Sequence, residues 1–288
     1  MTEYYIYLNA IGACEDVVVF KKLFEKTKLK NFEFTNDSNK ANVLLESVFN
    51  IKMYNKKNWK YKILWSGEPW INDTENYDLI FFSKKTEKNI VDYPFYVYYI
   101  HTYNLLNKLI ERPLVTKIPK KFCCFIVSNG SCTVRNDMFH YLNKYKKVES
   151  IGRCLNNMNF VLEYKWWTEE YINYISNYKF IICFENSKID GDSSTYSTEK
   201  IINPYIAGII PIYWGSNSIH KVLSKNSMLY LEDDSIESYK KIINEIVELD
   251  NDDEKYLEFV NRPAITDLTY FNENYTIEAM ASKIDNVL

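Results

Sequence analysis

Phe180-Ile181-Ile182-Cys183-Phe184, then Glu199-Lys200-Ile201-Ile202-Asn203-Pro204-Tyr205-Ile206-Ala207, then Ile209-Ile210-Pro211-Ile212-Tyr213-Trp214, form the stretch that decides the fold class. The first run carries no charged side chain and is far shorter than a membrane span, so it reads as a strand buried on both faces of a parallel sheet. Segment 199–207 reads as a helix closed by Gly208, the residue type that ends helices in a left-handed conformation. Segment 209–214 is a second apolar strand, stopped by Gly215. Strand, helix and strand in that order make a βαβ unit and place the chain in the α/β class.

The same rhythm extends in both directions. Toward the N-terminus the pattern predicts a strand over 4–8 and a helix over 17–28, with Val18, Phe20, Leu23 and Phe24 at helical spacing. Short strands follow at 32–34, 43–45, 62–65 and 79–82, so the first hundred residues look Rossmann-like. Arg112-Pro113 and Ile118-Pro119-Lys120-Lys121 read as a linker. The expected domains are therefore 1–113 and 114–288. The second opens with a strand over 122–127, a turn at Asn129-Gly130 and a helix over 134–144. A strand over 148–151 and a helix over 168–177 come before the βαβ unit, and helices over 216–223, 236–249 and 253–261 come after it.

Composition excludes several function classes. A chain of 288 residues with 47% hydrophobic and 25% charged residues buries a sizeable core and is neither disordered nor fibrous. Its net charge of −3 argues against a nucleic-acid partner, which needs a basic field. No apolar run approaches the roughly 18 residues of a membrane span, and Met1-Thr2-Glu3 lacks the basic start of a secretory signal, so a cytoplasmic protein is expected. The six cysteines (Cys14, Cys123, Cys124, Cys132, Cys154, Cys183) show no paired C-x-x-C spacing. Free thiols are expected, and no zinc site.

In open α/β sheets ligands gather beyond the carboxyl ends of strands, which points to the loops after Phe184, Val127 and Trp65. Ser197 and Thr198 stand where they cap the Glu199 helix, whose free N–H groups and positive dipole end attract an anion. Lys200 lies in that first turn and opposes the dipole, at a cost of about 0.3–1 kcal/mol, unless a negative ligand binds there. Arg135 opens a neighbouring predicted helix against its dipole and would converge on the same anion with a bidentate grip. The competing reading is two solvated basic residues.

Taken together, these motifs resemble the α1,3/4-fucosyltransferases of glycosyltransferase family 10. The resemblance is carried by Phe184-Glu185-Asn186-Ser187, Tyr196-Ser197-Thr198-Glu199-Lys200-Ile201-Ile202 and Ile210-Pro211-Ile212-Tyr213-Trp214-Gly215-Ser216. Val127-Ser128-Asn129 with Arg135-Asn136 is similar to the family's donor-side segment. Ser66-Gly67-Glu68 is similar to its Gly-Glu-Asn element, with Pro69 where the family shows asparagine. The resemblance implies a GT-B fold, two Rossmann-like domains facing across a cleft. It also implies inverting transfer of fucose from GDP-fucose to an oligosaccharide hydroxyl, α1,3 or α1,4 to N-acetylglucosamine, with no metal or cofactor required.

By position in those motifs, Arg135 and Lys200 meet the diphosphate, Glu199 the ribose hydroxyls, and Asn129, Asn186 and Tyr196 the rest of the donor. Because inversion is a single displacement, the acceptor needs a base on the face opposite the leaving group, and Glu68 is the carboxylate for it. Trp70 is placed to stack on an acceptor sugar, and His101 lies in a stretch where the family carries residues close to the acceptor or the fucose. Asp190-Gly191-Asp192 is a D-x-D that invites a metal-dependent reading, which a solvated acidic loop explains more simply. The other competing reading is a glycan- or nucleotide-binding protein of the same fold without catalysis.

Overall fold

A computed structural model describes residues 2–11, 17–49, 52–189 and 193–288. The chain opens with β1 (Tyr4–Asn9), α1 (Val18–Phe24), β2 (Phe32–Thr35), β3 (Val43–Ser47), β4 (Tyr61–Trp65), β5 (Leu79–Phe82), β6 (Ile90–Asp92) and α2 (Phe95–Tyr103). All six strands pair in parallel, in the order β2-β1-β3-β4-β5-β6. β3 and β5 are buried along their whole length; β5 accordingly reads as an uninterrupted apolar run, while β3 carries the buried Glu46, whose carboxylate accepts from Asn9 Nδ2 at 2.8 Å and Tyr77 OH at 2.6 Å. Helix α1 buries Val19, Phe20, Leu23 and Phe24, and the Phe20 ring packs against Trp65, Phe81 and Tyr98 with centroids 5.7–5.9 Å apart. It stops four residues short of the expected 28.

The chain continues through α3 (Leu106–Ile110), β7 (Lys121–Phe125), α4 (Thr133–Tyr145), β8 (Val148–Ser150), α5 (Glu169–Ile175), β9 (Tyr178–Ile182), α6 (Glu199–Ala207), β10 (Ile210–Tyr213), β11 (Leu229–Tyr230), α7 (Ile236–Asn251) and α8 (Asp253–Val260). These strands are also all parallel, in the order β11-β10-β9-β7-β8. Their core joins Phe125, Phe180, Ile182, Ile210 and Ile212 of the sheet to Met138, Leu142, Ile246 and Phe259 of the helices. Helix α6 runs from Glu199 to Ala207 as its sequence predicts. Thr198 caps it through its side chain, and Gly208, at φ 69°, closes it in the left-handed region.

Two compact units result: Met1–Asn104 with Ile189–Tyr196 and Asp267–Leu288, and Leu105–Lys188 with Ser197–Thr266. This division differs from the expected 1–113 and 114–288, because the chain returns to the first unit twice. One return is α9 (Thr269–Asn274) and α10 (Ile277–Val287), which bury Phe271, Met280, Ala281 and Ile284 there. The buried Asp92 ties both returns to β6: Thr195 Oγ1 donates to Oδ1, and Tyr275 donates to Oδ2 at 2.7 Å. No described helix is long and apolar enough to cross a membrane.

Candidate active site

In the second sheet the chain passes from β7 to β8 on one side and returns to β9 on the other, so the strand order reverses between β7 and β9. A crevice opens at such a point beyond the carboxyl ends of the two strands. Arg135, in the first turn of α4, stands there with only 1% of its surface exposed. One terminal nitrogen donates to Asn186 Oδ1 at 2.8 Å and to Phe184 O at 3.5 Å, beyond β9; the other donates to Asn129 O, beyond β7. The guanidinium therefore clasps the two loops that flank the reversal. Asn129 shapes its own loop by accepting from Ser131 N at 2.9 Å, and Asn136 secures Gly130 O at 2.8 Å. Asn129 and Asn186 are themselves exposed.

Beside them lies a carboxylate that the sequence reading passed over. Glu185 is fully buried, and its oxygens accept from Thr198 N at 2.7 Å, Thr198 Oγ1 at 2.9 Å, Lys200 Nζ at 3.3 Å and Tyr213 OH at 3.2 Å. Lys200 keeps 27% of its side chain exposed. Burial pulls the Lys200 pKa down, but the Glu185 and Glu199 charges outweigh it and hold the ammonium above its usual range, with Arg135 opposing them. Lys200 binds Glu185, and Arg135 binds Phe184 and Asn186 on either side of it. Glu199, half-buried at the head of α6, has its pKa raised by burial, with Lys200 opposing and Glu185 adding to the rise.

Gly215 makes room for this cluster. A Cβ there would lie 2.3 Å from Tyr213 OH and 2.9 Å from Glu185 Cγ, both buried and unable to withdraw. Gly215→Ala is therefore expected to cost about 1–3 kcal/mol. Thermal melting checks it, and an unchanged midpoint would contradict the crowding.

The remaining predicted residues belong to the first unit. Glu68 follows β4 and is half-buried. Its N–H donates to Ser66 Oγ at 3.2 Å, and that hydroxyl donates to Trp70 O at 3.0 Å, so one serine fixes both residues in a tight turn. Gly67 is forced by the Phe95 ring, which a Cβ would approach to 2.5 Å. Trp70 is 40% exposed and meets Phe49, 64% exposed, edge to face at 6.2 Å; Phe49 was not anticipated. His101 lies on α2 with Nδ1 2.9 Å from Tyr93 OH and its ring against Phe271, and burial pushes its pKa down to about 4, leaving it neutral. Tyr196 is buried at the end of the returning segment. Arg135, Asn129, Asn186, Glu199 and Lys200 are thus brought together in the second unit. Asp190-Gly191-Asp192 and Cys14 fall outside the described residues; the other five cysteines are free thiols.

Two parallel α/β units, the second with cations and a capped helix at its strand reversal, define a doubly wound α/β class of fold. Residues 116–280 match the C-terminal model of glycosyltransferase family 10 (fucosyltransferase), and the chain belongs to that family. It is 30% identical over 233 residues to a fucosyltransferase candidate of Acanthamoeba polyphaga mimivirus, covering 78% of this chain and 36% of that protein. Over 174 residues it is 28% identical to the alpha-(1,3)-fucosyltransferase FucT of Helicobacter pylori, covering 59% and 34%. Over 172 residues it is 28% identical to GDP-fucose protein O-fucosyltransferase 3 of Homo sapiens, covering 57% and 35%. The chain thus spans about a third of the length of these relatives. The crystal structure of an alpha1,3-fucosyltransferase with GDP-fucose superposes with a TM-score of 0.72 at 20% identity, over 99% of this chain and 90% of that one, so the fold is GT-B.

Proposed function

We propose that this protein is an inverting transferase that moves fucose from GDP-fucose to a hydroxyl of an oligosaccharide acceptor, α1,3 or α1,4 to N-acetylglucosamine. The observation that carries this reading is Lys200 at the head of α6, held by Glu185 and Thr198 beside Arg135 at the reversal of a family 10 sheet. Charge grows on the diphosphate as the sugar–phosphate bond breaks, and preorganised cations and helix N–H groups stabilise it at that moment. Lys200 presents N–H to the phosphates, while Arg135 adds its charge from behind and fixes Asn129 and Asn186 for the donor. Glu199 accepts from the ribose hydroxyls, and Tyr196 completes the donor side.

Glu68 takes the proton from the acceptor hydroxyl as that oxygen bonds to the anomeric carbon and the bonding pair departs on GDP. Trp70 offers an apolar face to the acceptor sugar, with His101 as a neutral element of the same unit. Incubation with GDP-fucose and N-acetyllactosamine-type glycans is expected to release GDP and yield fucosylated product, at a rate unchanged by a chelator. GDP binding with no transfer to glycans would favour the non-catalytic reading, and transfer only to serine or threonine peptides would replace the acceptor class. Loss of activity on chelation, copied by Asp192→Asn, would favour the metal-dependent reading.

A further inference from the structure

We propose that Glu185 is a positioning residue: it locks the first turn of α6 and holds the Lys200 ammonium with one N–H directed at an incoming diphosphate. The inference rests on the donor reading above. A fully buried carboxylate is costly to desolvate unless its lone pairs are met, and here four donors meet them. Its backbone is anchored as well, through Glu185 N to Trp214 O at 2.9 Å.

The chain of bonds has a fixed direction. Thr198 Oγ1 donates its single proton to Glu185 Oε2 and accepts from Lys200 N at 3.4 Å and from Lys200 Nζ at 3.1 Å. Lys200 has three N–H groups, of which Glu185 and Thr198 take two. The third is left for an incoming ligand, which the 27% of the side chain still exposed can admit. An ammonium tied at two points cannot sweep through the rotamers of an ordinary surface lysine, so little ordering entropy is left to lose when a phosphate arrives. Tyr213, whose hydroxyl also lies 3.0 Å from Ser197 Oγ, closes the far side of the carboxylate.

Two effects of Glu185 oppose each other, and this makes the role testable. Its negative charge near the phosphates repels GDP, so electrostatics alone predict that Glu185→Gln tightens GDP binding. Positioning predicts the reverse. Calorimetric titration of GDP and of guanosine should be run on wild type, E185Q, K200A and the double variant. We expect E185Q to weaken GDP about tenfold to hundredfold, the scale of a lost bond to a charged group, with guanosine unaffected. The double variant should bind GDP no more weakly than K200A, because Glu185 acts through Lys200.

Unchanged or tighter GDP binding by E185Q, equal loss of GDP and guanosine, or additive losses would overturn the inference. If E185Q fails to fold, Thr198→Val carries the same test, since it keeps the carboxylate and removes the bridging hydroxyl. A wild-type protein that does not bind GDP, or a K200A variant that binds it normally, would instead refute the donor reading and the role of Glu185 with it.

Discussion

Glu68→Gln is expected to lower turnover of GDP-fucose with a glycan acceptor by about 10²–10⁴-fold while GDP affinity stays at its wild-type value, the range a positioned general base contributes. The substitution keeps size and shape. The turn that presents residue 68 is built from backbone and from Ser66, whose hydroxyl links Glu68 N and Trp70 O, so glutamine inherits the same placement. The melting temperature should therefore stay within about 1 °C, which separates lost chemistry from lost fold. GDP affinity is spared because the residues proposed to bind the diphosphate belong to the other compact unit. Steady-state release of GDP and calorimetric titration give the two readings. Wild-type turnover in the variant would remove Glu68 as the base and send the search to other carboxylates.

How much of this was legible in the sequence varies from element to element, for physical reasons. Helix α6 was readable to the residue because both of its ends carry chemical signals, the Thr198 cap and the left-handed Gly208. β9 was readable as a strand but not in its bounds: 180–184 was expected, whereas pairing with β7 begins at Tyr178 and ends at Ile182. Phe184 and Glu185 lie past the pairing with β7, but Cys183 N to Ile212 O and Glu185 N to Trp214 O, both at 2.9 Å, carry the contact with the β10 side onward and fix Glu185 where its side chain meets Thr198. Helix α2 escaped because Tyr96, Val97, Tyr98, Tyr99 and Ile100 are all buried, and a helix enclosed on all sides leaves no polar stripe to betray its period. Helix α10 did carry a stripe, at Ile277, Met280, Ala281 and Ile284, but the face on which it packs is a long-range fact that spacing cannot hold.

The site shows the same split. Lys200 and Arg135 stood out because each opposes a helix dipole, and that argument needs only the order of residues. Their surroundings required coordinates. The expected bidentate grip of Arg135 on an anion gives way, in this structure, to a clasp between Asn129 O and Asn186 Oδ1. Glu185 offered one signal, an acid at the end of an apolar strand, which is also what any strand running out to solvent shows. Only its complete burial separates the two.

Gly152→Ala is expected to destabilise the second unit by about 3 kcal/mol, at the upper end of overpacking costs, and to lower its melting temperature by about 6–12 °C. Gly152 follows β8, where the chain runs hard against the end of β7. A Cβ there would lie 2.2 Å from Val127 O, 2.4 Å from Val127 N and 2.7 Å from Val127 C. These are backbone atoms, so no rotamer change relieves the clash. The bond from Cys154 N to Val127 O at 2.8 Å must lengthen, and with it the approach of Ile151 N to Phe125 O at 3.0 Å is strained. Val127 leads directly into Ser128 and Asn129, whose carbonyl receives Arg135, so the displacement should also weaken GDP binding. Gly130→Ala is the control. Its Cβ would meet only the Cys154 sulfur, at 3.2 Å, a side chain that can give way, and about 1 kcal/mol or less is expected. If the two variants melted alike, close backbone approach at Gly152 would not be what holds the donor-side loop in place.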